Sequence, residues 1–156
     1  MSKLRTGYGN RKGSETMTEL QKANEEKKQY LLQYKELKKK AARLEESINE
    51  LRINKMFPSV VMSDMPSAHN RSDLSDYMAV LDEKIQELVT ARYKAIEKYT
   101  EIYRHIEIME NEKERMVLTY RYLRNYTWEK IADKTNYSMT SIHRIHGNAL
   151  KNFRFN

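Results

Sequence analysis

The side chains that could do chemistry in this 156-residue chain are scattered, and their spacing matches no catalytic arrangement. The chain has no cysteine, which excludes thiolate metal sites and a cysteine nucleophile. His143 and His146 lie three residues apart, but the other two histidines, His69 and His105, fall in a predicted loop and a distant predicted helix. The sequence also lacks a glycine-rich phosphate loop. We therefore expect no enzyme activity, no metal site and no cofactor.

The distribution of charge points instead to binding of a polyanion. Residues 115–156 contain eight Lys or Arg and two acidic residues, a net charge of +6 out of +7 for the whole chain. Residues 1–14 contribute a further +4, whereas residues 15–114 are slightly acidic. A basic segment attached to a nearly neutral body indicates a polyanion partner, most often nucleic acid. Charge alone does not distinguish this from a general solubilising excess of charge.

The C-terminal sequence YTWEKIADKTNYSMTSIHRIHGNAL has the spacing of a helix-turn-helix. Ala132 is small enough to let two steeply crossed helices approach. Four residues later, Asn136 tolerates the left-handed backbone that the turn needs. Ile142 is expected to wedge under the first helix, with Ile145 one turn later. The competing interpretation is a helical hairpin that only closes a core.

The predicted caps of these two helices define which side chains face outward. Thr127 is expected to cap the first helix, and Ser138 the second, the recognition helix. If Ile142 faces inward, an exposed face remains for reading bases in the major groove, formed by Met139, Thr140, His143 and Arg144. Residues expected to hold phosphates are Arg121, Arg124, Lys130, Lys134, Ser138 and Lys151.

Other residues of this region have predicted structural roles. A preceding helix from about Asn111 to Arg124 should present Val117, Tyr120 and Leu123 on one face. Core positions are predicted for Trp128 and Phe153. Packing or a backbone contact is predicted for His146. Gly147 either ends the recognition helix or allows close approach to a phosphate.

Two long helices are predicted to position this region. Helix one runs from about Thr16 to Met56, and helix two starts near Ser72 or Asp73, either of which can cap it. Both carry apolar residues spaced alternately by four and three. The seam residues are Tyr30, Tyr34, Leu37, Ala41, Leu44, Ile48 and Leu51, then Leu74, Met78, Leu81, Ile85, Leu88, Ala95, Tyr99, Ile102, Ile106 and Met109.

These seams favour an antiparallel hairpin over an intermolecular coiled coil. Tyrosines in the seam and an interruption at Arg92 suit a tight parallel dimer poorly. Arg92 is expected to snorkel or to pair with Glu45 or Glu46. Apolar surface that the hairpin does not bury leaves homodimer formation as an alternative.

The expected fold is therefore all-α, with a long antiparallel, coiled-coil-like helical hairpin followed by a C-terminal helix-turn-helix domain. Residues 1–15 are predicted to be a disordered basic tail. The hairpin occupies residues 16–110 with a Pro/Ser loop at about 57–72, and the DNA-binding domain occupies 111–156. No apolar run approaches the roughly 20 residues that a membrane span needs. We expect a soluble cytoplasmic protein with no membrane partner.

The C-terminal sequence resembles the DNA-binding fourth region of bacterial sigma factors. The matching residues are Arg115, Leu118, Arg121, Tyr122, Glu129, Ile131, Ala132, Ser138, Ser141 and Ile142. The whole chain also resembles phage late-gene transcriptional regulators of the ArpU/RinA type. That resemblance is carried by Trp128, Tyr137, Ser138, Arg144, Ile145, His146, Gly147, Ala149 and Leu150.

These resemblances imply a regulator of phage or prophage late genes that binds specific sequences in double-stranded DNA. Contact with RNA polymerase remains open, although nothing resembles the sigma-factor regions that bind polymerase or the −10 element. The alternative is a small-terminase-like subunit that recognises DNA for phage genome packaging. A third class is an interaction scaffold that does not bind DNA.

Overall fold

The computed structural model describes the backbone of residues 18–56 and 69–155, and the side chains of 18–54 and 74–155. The described chain is all-α. The two long helices are α1 (Glu19–Met56) and α2 (His69–Glu107). A C-terminal domain follows with α3 (Glu112–Leu118), which a π-helical turn (Thr119–Leu123) continues, then α4 (Trp128–Thr135) and α5 (Met139–Asn152). No described helix is long and apolar enough to cross a membrane.

The long helices begin at different places from those predicted. Thr18 and Gln21 form a capping box at the start of α1: the Gln21 amide donates to the Thr18 hydroxyl, and the Gln21 side chain accepts from the Thr18 amide. Helix α2 begins at His69, before the predicted caps at Ser72 and Asp73. No glycine or proline lies between Pro66 and the end of α2 at Glu107, so the sequence permits the earlier start. The predicted tail and most of the predicted loop lie outside the described residues.

Contacts between α1 and α2 confirm the antiparallel hairpin. The Tyr30 hydroxyl donates to a carboxylate oxygen of Glu101 at 2.6 Å. One turn later in α1, Tyr34 packs edge-on against Tyr99, with ring centroids 5.3 Å apart. Near the middle of both helices, Arg92 pairs with Glu45 at 2.9 Å, as predicted. Along these contacts the residue numbers rise in α1 and fall in α2, so the two helices run in opposite directions.

The predicted seams are buried over most of their length but not at the loop end. Ile48 and Leu81 are buried, as are seam residues on both helices nearer the C-terminal domain. Leu74 and Met78 were expected in the seam but are 50% and 47% exposed. The reason is that α1 ends at Met56, so the first turns of α2 have little helix opposite them.

A shared core joins the hairpin to the C-terminal domain. Leu31 of α1, Ile102 and Ile106 of α2, Leu118 of α3 and Phe153 after α5 are completely buried in one cluster. Phe153 therefore closes a core, as predicted, but that core is the joint between the hairpin and the C-terminal domain. The hairpin and the recognition helix are held together by apolar packing.

The preceding helix is not one continuous α-helix with one apolar face. Asn111 caps α3, since its side chain accepts from the amides of Lys113 and Glu114. The π-helical turn then widens the helix by an extra residue per turn. Val117 packs into a second cluster with Ile131 and Ile142, whereas Leu123 packs into the shared core. The prediction that Leu123 shares a face with Val117 was wrong because the wider turn rotates it away.

Candidate nucleic-acid interface

The turn between α4 and α5 has the predicted local structure. Thr127 caps α4, and its hydroxyl accepts from the amide of Lys130. Asn136 ends α4 in the left-handed conformation, with φ of 55°. Ser138 then caps α5, and its hydroxyl oxygen accepts from the amide of Ser141. Two short helices are thereby set at an angle around a left-handed turn, which is the arrangement of a helix-turn-helix.

Packing beneath α5 decides which of its faces is free. Ile142 is completely buried in a cluster with Val117 and Ile131, and Ala132 and Ile145 pack against that cluster half-buried. The opposite face is open to solvent. All four residues expected to read bases are exposed: Met139, Thr140, His143 and Arg144.

His143 lies at the edge of this face. Its ring packs against Trp128, with centroids 4.9 Å apart. Trp128 is half-buried and also contacts His146, so it supports α5 from the α4 side, at the rim of the core. Thr140 and Arg144 are one turn apart and share the middle of the exposed face.

Arg121 is engaged inside the domain. Its guanidinium donates to the carbonyl of Tyr126 at 3.0 Å and lies 4.2 Å from the centre of the Trp128 ring. The side chain is half-buried. This arrangement holds the loop before α4 and makes Arg121 a poorer phosphate ligand than the sequence predicts.

The other predicted phosphate ligands all lie on the surface, although the hydroxyl of one of them, Ser138, is already hydrogen-bonded. Lys130 and Lys134, one turn apart on α4, place their ammonium groups 4.2 Å and 5.8 Å from the Tyr126 ring centre. Arg124 and Lys151 are exposed. Ser138 uses its hydroxyl for the cap and for a 3.0 Å hydrogen bond to the Ser141 hydroxyl.

His146 is buried and does not face the surface that carries His143. Its Nε2 lies 2.9 Å from the hydroxyl of Tyr122 in the π-helical turn. Burial, with the nearby positive charges of Lys28 and Arg121, lowers the pKa of His146 to about 4. The neutral ring therefore serves as a packing and hydrogen-bonding group. No group of three or more potential metal ligands occurs among the described residues.

Polar contacts from other elements fix the C-terminal end of α5. The ammonium of Lys27 in α1 donates to the carbonyls of Leu150 and Lys151 at 2.7 Å and 3.1 Å. A cation there satisfies free carbonyls and opposes the negative end of the helix dipole. The Asn152 amide donates to both carboxylate oxygens of Glu114 in α3. Sequence reasoning missed these three side chains, since no local pattern connects residues 38 or 123 positions apart.

Gly147 lies inside α5, which continues to Asn152, so it does not end the recognition helix. A glycine in a helix interior costs about 1 kcal/mol relative to alanine. A β-carbon built at Gly147 would meet nothing within 4 Å. The fold itself therefore does not require glycine at this position.

Residues 111–154 match the family model for sigma-70, region 4. The match covers the C-terminal domain and none of the hairpin, so this domain is a sigma-70 region 4 helix-turn-helix. Such a domain is a DNA-binding module of the transcription machinery and is not catalytic. No curated protein and no solved structure matches the chain.

Proposed function

We propose that this protein is a transcriptional regulator that binds a specific sequence in double-stranded DNA through α5. The observation that carries the proposal is the exposed face of α5, on a helix fixed from below by Ile142 and from its end by Lys27. Because α5 is held both at its buried face and at its C-terminal end, its exposed side chains would enter the major groove in a defined orientation.

The proposed base readers are Met139, Thr140, His143 and Arg144. Arg144 is the strongest candidate, because a guanidinium can donate two hydrogen bonds to the O6 and N7 atoms of guanine. Met139 and Thr140 offer apolar contact to thymine methyl groups at the start of the helix. His143 would reach the adjacent base or sugar from the Trp128 side.

The proposed phosphate ligands are exposed basic residues in and around α4 and α5. Lys130 and Lys134 of α4, Arg124 before α4 and Lys151 near the end of α5 would hold the DNA backbone. Ser138 would contribute through its position at the start of α5, where free backbone amides attract a phosphate. These contacts position the protein on the duplex without reading its sequence.

The biological role we propose is control of phage or prophage late genes in the cytoplasm of the bacterial host. The resemblance of the whole chain to regulators of the ArpU/RinA type supports this role. The sigma-70 region 4 domain supports an action at promoters, with RNA polymerase as a further partner. We also propose that the protein acts as a homodimer.

Genome-wide immunoprecipitation of the DNA bound by the full chain tests the proposal. We expect a single strong peak upstream of late genes in a lysogenic host. A peak at a packaging-initiation site would instead assign the protein to genome packaging. Binding without sequence preference, or no recovery of DNA, would refute the role of α5 as a recognition helix.

A further inference from the structure

An exposed apolar stripe runs along α2, beside the seam through which α2 packs on α1. It consists of Val89, Tyr93, Ile96 and Tyr103, which are 56%, 63%, 65% and 41% exposed. Their spacing by four, three and seven residues places them in one row, as in a coiled-coil seam. This row is distinct from the buried seam that carries Ala91, Ala95 and Ile102.

A groove between α1 and α2 adjoins the α2 stripe. It has a volume of about 620 Å³ and is lined by Tyr34, Ala41, Ala95, Ile96 and Tyr99, with polar residues around them. The alanines let another helix approach closely. Ile96 belongs to both, so stripe and groove form one surface on the hairpin. The Arg92–Glu45 ion pair also lines the groove, and Tyr34 and Tyr99 pack in addition against the shared core.

We propose that a second copy of this chain covers this surface, with its α2 antiparallel to the first and crossing it at Ile96. Two stripe residues are symmetric about Ile96, since Val89 precedes it by seven residues and Tyr103 follows by seven. Tyr93, three residues before Ile96, would face Tyr99 of the groove, three residues after it. An antiparallel copy turned about Ile96 therefore places its Tyr103 opposite Val89. The same patch serves on both copies, as a two-fold interface requires.

The stripe supplies roughly half of the area that a standard dimer interface needs. At their observed exposures, the four stripe side chains leave on the order of 100 Å² each, or roughly 400 Å² per copy. A standard interface buries about 800 Å² per partner, so the groove and the flanking side chains must supply the other half. An interface of this kind would bring two region 4 domains onto one DNA molecule. The inference that two copies bind one DNA molecule rests on the proposed function.

The oligomeric state of the full chain tests the interface. Sedimentation over a dilution series is expected to give twice the chain mass of 18.7 kDa. Ile96→Asp should give the chain mass, with unchanged helical circular dichroism because this side chain is largely exposed. Ile108→Asp is the matched control, since Ile108 is 74% exposed and lies outside the stripe. A monomeric parent, or a dimer that Ile96→Asp leaves intact, overturns the proposal.

Cysteine cross-linking tests the antiparallel arrangement, because the chain has no cysteine of its own. Ile96→Cys should form a disulfide-linked dimer on mild oxidation. Val89→Cys alone should not, because the two copies of that position would lie roughly 21 Å apart, whereas Val89→Cys with Tyr103→Cys should. Cross-linking of Val89→Cys alone would indicate a parallel dimer and refute this arrangement. Failure of the parent to bind any DNA would refute the proposed function and leave the interface untouched.

A second and independent inference concerns Gly147. It follows Arg144 by three residues and His143 by four, so it shares their face of α5. The fold leaves open space above it, yet a helix is less stable with glycine there. We infer that Gly147 is a point of close approach to the DNA backbone, where the missing side chain admits a phosphate or sugar.

Opposite effects on stability and binding test this inference, which also rests on the proposed function. Gly147→Ala should raise the Tm by about 2–4 °C and weaken binding to the selected DNA site about 10-fold. Gly147→Leu should weaken binding further. Asn49→Ala is the control, since Asn49 is an exposed position of α1 at which alanine also favours the helix. Unchanged binding by Gly147→Ala, or a lower Tm, overturns the inference. A parent that binds no DNA refutes the proposed function instead.

Discussion

The Tyr122 hydroxyl lies 2.9 Å from Nε2 of His146 in the buried joint between the π-helical turn and α5. The Trp128 ring also packs edge-on against the imidazole, with ring centroids 4.9 Å apart. This contact ties the recognition helix to the element that also enters the shared core. It makes His146 a part of the fold whose protonation state affects stability.

The stability of the protein should fall as the pH decreases from about 6.5 to about 4. The pKa of His146 is lowered to about 4, so the unfolded chain binds a proton in this range and the folded chain does not. The loss at pH 5 relative to pH 8 is about 2 kcal/mol. Urea unfolding followed by Trp128 fluorescence measures it. His146→Gln should remove this dependence above pH 5, and an unchanged dependence in that variant would place its origin elsewhere.

Replacement of Lys27 should destabilise the attachment of α5. Lys27→Met removes a cation that donates to two carbonyls at the end of that helix, and we expect a loss of about 1–2 kcal/mol. Lys27→Arg should recover most of the loss. Lys22→Met is the control on the same helix, because Lys22 is exposed. Urea titration compares the variants, and equal stability of Lys27→Met and Lys22→Met would show that the contact contributes little.

Arg144 and Lys134 should differ in what their loss does to DNA binding. Arg144→Ala should keep the fold and lose about 1–3 kcal/mol of discrimination at one base pair. Lys134→Ala should weaken all duplexes about equally, because a phosphate contact carries no sequence information. Selection from a random-sequence pool with each variant decides between them. Recovery of the parent motif at the same stringency by Arg144→Ala would shift base reading toward Thr140 and His143.

The salt dependence of binding should reflect the basic residues that are free on the surface. Arg124, Lys130, Lys134 and Lys151 give a log–log slope of about −3 to −4 for each bound protomer. Arg121 is not counted, since it is half-buried and its guanidinium donates to the carbonyl of Tyr126 as well as packing on Trp128. Arg121→Met should therefore lower stability and leave the slope unchanged. A slope that is less negative by about one in this variant would show that Arg121 leaves Trp128 to contact a phosphate.

The sequence by itself determined the features that depend on neighbouring residues. Thr127 and Ser138 were identifiable as caps, because a capping side chain bonds to an amide within three residues. Asn136 was identifiable as the left-handed residue of the turn, and the periodic seams identified the antiparallel hairpin. Ile142 followed from the same spacing, and with it the exposed face of α5.

Only the tertiary structure decided which side chains are occupied by contacts between distant elements. It placed Arg121 on Trp128, Lys27 at the end of α5, and His146 against Tyr122. The π-helical turn moved Leu123 into the shared core, and the end of α1 left Leu74 exposed. Burial and pairing depend on how separate helices pack, and residues 123 positions apart share no local signal that sequence periodicity could reveal.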